Sequence, residues 1–286
     1  MYNARRDTRK FLMLEDARMP MKKPWRLGEI TLSEVRKTRF EAAVLPFGAN
    51  EPHNLHLPYG TDNYEVVEIC DRACEWAWKK GARIALLPHI PFGADQNMMR
   101  FPMTVSLDQE QLDGIVASVA HSLEQHGVMK LLIVNGHGGN NFQPGLRTLY
   151  GRSKVFCCLL NWWSATSDRD KTIFEHVGDH ADEREPSLVQ AIAPHLVNME
   201  WADDGAVYPS RFEAARNGWV WYPRPWERLT KNSGNGDPRK ASAKKGRLYL
   251  KLLEERVGNF LLELAREKMD ATFPFQRPLG KPAARR

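Results

Sequence analysis

An α/β fold built on a mostly parallel sheet, with helices covering both faces, follows from two features of the chain. Four short apolar runs each end at a turn rich in Gly, Pro or Asn, and helical patterns lie between them. Apolar runs without polar alternation are typical of strands buried on both faces, as in parallel sheets. Strand alternating with helix implies layers joined by right-handed crossovers. At 286 residues, 42% of them hydrophobic, the chain is long enough to bury a substantial core.

The strand candidates are AAVLPFGAN (42–50), ARIALLPHIPFGA (82–94), KLLIVNGHGGN (130–140) and KVFCCLLNWW (154–163). YEVVEICDRACEWAWKKG (64–81) and LDQEQLDGIVASVAHSLEQHG (107–127) read as helices closed by Gly81 and Gly127. NFQPGLRTLYGR (141–152) and SLVQAIAPHLV (187–197) read as shorter helices, and residues 241–268 as a long amphipathic one. Residues 201–240 set Trp201, Tyr208, Trp219, Trp221, Tyr222 and Trp226 among prolines, glycines and charges, the composition of a long structured loop or flap. We expect an N-terminal extension over residues 1–40, a single domain over 41–270 and a C-terminal tail over 271–286.

Several function classes are disfavoured. No stretch approaches the roughly 20 apolar residues of a membrane span, and no apolar signal region follows the basic N-terminus, so a cytoplasmic protein is expected. Cys70 and Cys74, like the adjacent Cys157 and Cys158, read as buried thiols rather than a disulfide framework. The net charge of +6 comes from RRDTRK, MKKPWR, RKASAKKGR and KPAARR near the two ends, which read as solvated tails and not as a nucleic-acid surface.

Polar clusters fall just beyond the strand candidates, where open parallel sheets gather their ligands. EPHNLHLPYGTD (51–62) follows the first run and supplies Glu51, His53, His56 and Asp62, a mix of carboxylate and imidazole that suits zinc, manganese or iron. GADQN follows the second run, and NGHGG (135–139) the third. Glycines alone explain a tight strand-to-helix turn but not His137, and no Gly-Lys-Ser/Thr ending marks a phosphate loop. GDHADEREPSL (178–188) adds Asp179, His180, Asp182, Glu183 and Glu185 ahead of a helix. Helix capping accounts for some of these acids but not for His180. A two-metal site needs about five ligands, one a bridging carboxylate, and these clusters supply enough. No Gly-x-Ser-x-Gly elbow supports a serine hydrolase.

These segments resemble the signatures of the creatininase family. EPHNLHLPYGTD keeps its Glu, both His, Leu-Pro and Gly-Thr-Asp; VNGHGGN matches its second signature; HADEREPS is similar to its third; and GDPRKASAKKG (236–246) resembles a segment before its final helix. The matches run in the family's order from about residue 40 to 265. The resemblance implies a three-layer α/β/α amidohydrolase, homo-oligomeric with the hexamer as one form, carrying two divalent metal ions, zinc with manganese or iron. Residue by residue, it implies Glu51 and His137 on one metal, His53 on the other and Asp62 bridging. Gly139 stands where creatininase has a ligand glutamate, so Glu183 is expected as the fifth ligand, with Glu185 its alternative. His180 and Glu185 are the expected catalytic pair, and His56 is expected to orient a ligand.

The expected reaction is hydrolysis of a non-peptide or cyclic C–N amide in a small molecule by a metal-bridging hydroxide, with His180 shuttling a proton to the leaving nitrogen. Gln96 and Asn97 replace Glu-His at positions that would face the pocket, which points away from creatinine itself. Asn54, Met103, Asp182 and Pro186 also depart from the family pattern. The alternative is a catalytically silent metal- or ligand-binding protein on the same fold, its tryptophans stacking on a sugar or polyol. Packing at an oligomer interface is the simpler reading of those tryptophans.

Overall fold

The computed structural model describes residues 22–276. Four parallel strands, β1 (Ala42–Phe47), β2 (Ile84–Leu86), β3 (Lys130–Asn135) and β4 (Phe156–Asn161), form one sheet in the order β2-β1-β3-β4. The five longer helices are α1 (Thr61–Lys79), α2 (Gln109–Gln125), α3 (Phe142–Leu149), α4 (Arg184–Ile192) and α5 (Ala243–Arg266).

Alternation along the strands divides the core. Val44, Leu132 and Val134 pack with apolar residues of α1, α4 and α5 on one face. Leu45, Phe47, Leu131 and Ile133 pack with those of α2 and α3 on the other. This is the three-layer α/β/α arrangement the sequence predicts. Gly246 of α5 lies against the Ser187 carbonyl of α4, where a Cβ would overlap it.

β2 is shorter than the apolar run predicts. Pro88 and Pro91 cannot donate to a ladder, so the strand ends at Leu86 and only isolated contacts such as Ile90 N to Pro46 O (2.9 Å) follow. Pro46 survives within β1 for a related reason. Its carbonyl faces the β2 side, so its absent N–H would also face that side, where β2 has already ended.

The strand order places the site. From β1 the chain goes outward to β2, then crosses back to β3 on the opposite side of β1. Phe47 and Asn135 are paired at the carboxyl ends of these two strands. Such a reversal opens a crevice between the two strand ends, and both EPHNLH and NGHGG enter it.

Two of the four basic segments differ from the expected solvated tails. Lys23, Trp25 and Arg26 converge on Asp71 of α1 at 2.5, 2.8 and 2.6 Å, and Trp25 is buried in the core. Lys245 points inward to Glu183. Hydrogen bonds to a buried carboxylate are stronger than those made in water, which is why these cations turn toward the protein while their side chains stay partly exposed. RRDTRK and KPAARR lie outside the described residues. Cys70 and Cys74 are buried, Cys157 and Cys158 half-buried, and all four are free thiols. No described helix is long and apolar enough to cross a membrane.

Candidate metal centre

Each signature is held by its own local chemistry. Beyond β1, the 51–59 loop closes with Glu51 N donating to Tyr59 O at 3.1 Å. Asp62 then sits in the first turn of α1, where the helix dipole favours a carboxylate. Beyond β3, Gly136 N donates to Phe47 O at 2.7 Å, and a Cβ there would crowd that carbonyl. Asn135 clamps the following turn: its amide donates to His137 O (2.8 Å) and accepts from Asn140 (3.0 Å). The third segment pairs with residue 235, and Ala181 takes a left-handed conformation (φ 49°) between His180 and Asp182. That strain is a cost accepted to aim neighbouring side chains.

The result is a buried cluster. Asp62 Oδ1 lies 3.0 Å from His53 Nε2, and its Oδ2 lies 3.2 Å from His137 Nδ1. Glu51 Oε1 is 2.8 Å from His137 Nδ1, 3.7 Å from His180 Nδ1 and 4.0 Å from His53 Nε2. Glu185 Oε1 approaches His53 Nε2 at 4.0 Å. Three overlapping groups have ligand atoms within 4.8 Å of one another: Glu51, His53, His180; Glu51, Asp62, His137; and His53, Asp62, Glu185. Glu51 Oε2 and Asp62 Oδ2 are buried without a hydrogen-bond partner. Unmet carboxylate oxygens converging with imidazoles in a buried space fit divalent cations.

Glu183, expected as the fifth ligand, sits apart from the grouped atoms. It is buried, but it accepts from the backbone of Glu175 and His176 at 2.8 Å each and pairs with Lys245, outside the grouped ligand atoms. Residues two apart at a helix start point roughly 200° apart, so Glu183 and Glu185 cannot both face the cluster. Position 139 could not supply a carboxylate either, because a Cβ there would overlap the Ala94 carbonyl and the His137 ring. His56, expected to orient a ligand, has both ring nitrogens buried without partners. Burial, reinforced by His53, holds its pKa down to about 4.

The grouped side chains shift one another's proton affinity. Burial opposes a charged His53, yet Asp62, Glu185 and Glu51 outweigh it and raise its pKa to about 10. Burial likewise opposes charge on His137, and Glu51 and Asp95 raise its pKa well above the ordinary value. Burial pushes Glu185 up to about 8, with Asp182 and Asp62 adding to it against His53. His180 is held below its usual value by burial and by His53, so its ring is neutral. Its Nε2 lies 2.9 Å from the Pro52 carbonyl, which can only accept, so the proton sits there and Nδ1 keeps its lone pair toward Glu51.

Two buried acids escape a sequence reading. Asp95, within the GADQN segment, lies 2.9 Å from His137 Nε2. Glu65, one turn beyond Asp62, has both oxygens unpartnered, and burial with nearby Glu185 and Asp62 raises its pKa well above the ordinary carboxylate value. A position beyond a strand end is the signal for Asp95; nothing in the local pattern distinguishes Glu65 from a solvent-facing helical glutamate.

A cavity of about 690 Å³ opens over the cluster. Glu51, Asp62, His137, His180 and Glu185 line it, as do Gln96, Asn97, Trp162, Trp163, Trp221 and Trp226. Part of the tryptophan-rich segment therefore covers the site, and Trp226 packs edge-on to His180 at 5.0 Å.

A sequence model of the creatininase family, described as creatinine amidohydrolase, matches residues 28–261. The chain belongs to the creatininase family. It is 27% identical over 200 residues to the creatinine amidohydrolase of Pseudomonas putida, covering 61% of this chain and 74% of that enzyme. It is 28% identical over 234 residues to the mycofactocin precursor peptide peptidase of Mycobacterium tuberculosis, covering 77% and 84%. With the 3-dehydro-scyllo-inosose hydrolase of Thermotoga maritima it shares 27% over 188 residues, 61% of this chain but 58% of that enzyme, under two thirds of its length. Among solved structures, a creatinine amidohydrolase-like protein of Bacteroides fragilis superposes with a TM-score of 0.81 at 34% identity, over 87% of this chain and all of the other. A manganese creatininase gives a TM-score of 0.69 at 23% identity, over 85% of this chain and 99% of its own, a likeness of fold alone. These relatives are hydrolases and the fold is theirs; their named substrates differ widely.

Proposed function

We propose that this chain is a metal-dependent hydrolase that cleaves a C–N amide bond, cyclic or non-peptide, in a small molecule. The observation that carries the reading is the Asp62 carboxylate, which faces His53 with one oxygen and His137 with the other. A bridging ligand requires that placement. Glu51 and His137 would hold one divalent cation, His53 and Glu185 the other, zinc or manganese being in keeping with the donor set. Such cations supply Lewis acidity toward a carbonyl oxygen and acidify a water.

The chain's own groups do the rest. The cavity admits a flat substrate between its tryptophan walls while the polar floor meets the carbonyl. His180 takes a proton at Nδ1 and delivers it to the leaving nitrogen, so the carbonyl carbon gains the hydroxyl of water and the nitrogen gains hydrogen. Its neutral ring and fixed Nε2 proton suit it to accept first and donate second. With Glu185 engaged as a ligand, His180 carries the proton work alone. A silent sugar- or polyol-binding protein would need the same walls but not His180 on the cavity floor. Exposed Trp201, Tyr208, Phe212 and Trp219 support assembly into a homo-oligomer.

The test is elemental analysis of the purified chain beside its Asp62→Ala variant, with hydrolysis followed on lactams, formamides and short peptides. Two bound metals lost together in the variant are expected. A wild-type chain without metal and without metal-stimulated hydrolysis would sink the proposal.

A further inference from the structure

The His137 ring lies between carboxylates on both sides. Nδ1 faces Glu51 and Asp62, whereas Nε2 faces Asp95 at 2.9 Å, with the Ala94 carbonyl at 3.4 Å. Asp95 is fully buried, and no Lys or Arg pairs with it among the described residues. A buried carboxylate without a cation is expensive, and both Asp95 oxygens lack a formed hydrogen bond, so the imidazole nitrogen 2.9 Å away is the group placed to satisfy one of them.

The mount is rigid. Asp95 N donates to Ser106 Oγ (2.7 Å), Ala94 N to Asn140 Oδ1 (2.9 Å) and Leu107 N to Gly93 O (2.8 Å). Gly93 lies against the His137 ring, where a Cβ would crowd it at 2.8 Å. The loop after β2 thus grips the ring from the side opposite the cluster, and its next residues, Gln96 and Asn97, line the cavity.

A neutral imidazole carries one N–H. If Nε2 holds it, Nδ1 presents a lone pair to the space shared with Glu51 and Asp62; with the other tautomer, Nδ1 cannot bind a cation. We propose that Asp95 is a positioning residue: by accepting the Nε2 proton of His137 it selects the ligating tautomer, fixes the ring plane and makes Nδ1 a better donor. This inference rests on the metal-centre reading above. It also joins the cavity wall to the centre through one loop, since the backbone that carries Gln96 and Asn97 also aims His137.

The experiment measures zinc affinity of the full-length chain, stripped and reloaded, by competition with a chelating dye. Asp95→Ala is expected to bind zinc about 10- to 100-fold more weakly at one site. Asp95→Asn, which keeps an acceptor oxygen, is expected to recover part of the loss. Ring 15N NMR of the zinc-loaded wild type, which needs no variant to fold, is expected to show His137 protonated at Nε2. Asp95→Ala within threefold of wild type, Asp95→Asn no better than Asp95→Ala, or a His137 proton on Nδ1 each overturns the role of Asp95 alone. A wild-type chain that takes up no zinc overturns this inference together with the metal centre.

Discussion

The floor and the outer wall of the cavity are built in opposite ways. Glu51, His53, Asp62 and His137 are at most 6% exposed, and they sit where β1 and β3 end and α1 begins, on backbone locked by the sheet. The wall contributed by residues 199–230 contains no helix longer than four residues, and Trp221 there is 83% exposed. Precise placement of ligand atoms needs regular elements behind it, whereas a wall that sorts substrates can be irregular and free to vary. The family comparison fits this division: relatives by sequence are named for creatinine, a precursor peptide and an inosose.

If the floor carries the chemistry, His180→Gln should lower kcat by about 10²- to 10⁴-fold with metal content unchanged by elemental analysis. Loss of metal in that variant would move His180 from proton carrier to ligand. Acidity should act on the floor next most strongly. A cation at His53 Nε2 displaces a proton held with a pKa of about 10, so affinity falls as pH falls below that value. The loss is about tenfold per pH unit for each proton displaced, read by isothermal titration in two buffers of different ionisation enthalpy.

The two glutamates at the start of α4 divide the floor from its support. Glu185→Gln should weaken one metal while leaving thermal unfolding of the stripped chain nearly unchanged. Glu183→Gln should do the reverse, keeping metal but costing about 1–3 kcal/mol of stability, because Lys245 and two backbone amides lose a charged acceptor. If Glu183→Gln releases metal instead, the placement of these side chains is wrong. The smallest effect belongs to the wall: Trp221→Ala should cost ~1 kcal/mol of substrate binding, about fivefold in KM, with kcat and metal unchanged. An equal loss in kcat would make the wall part of the chemistry.

Much of this was legible in the chain because it is local. Apolar runs ending in Gly- or Pro-rich turns marked all four strands, and helical spacing with closing glycines marked α1 and α2 to within about three residues. NGHGG declared its turn because Gly136 must pass close to the Phe47 carbonyl. His53 and Asp62 belong to one segment and meet across nine positions. MKKPWR misled, since charge in a sequence says nothing about a buried partner 45 or more residues away.

By itself, then, the sequence determined the α/β layering, the segments that meet at the strand ends and the kinds of side chain they bring, because periodicity and turn chemistry act over a few residues. Tertiary structure alone decided that Glu185 and not Glu183 faces His53, that Asp95 backs His137 from the loop after β2, and that Trp221 and Trp226 cover the cavity. Each of these depends on direction, not identity. Neighbouring carboxylates on a helix diverge by about 100° per residue, and which of them meets the cluster is set by how α4 packs on α1 and on α5.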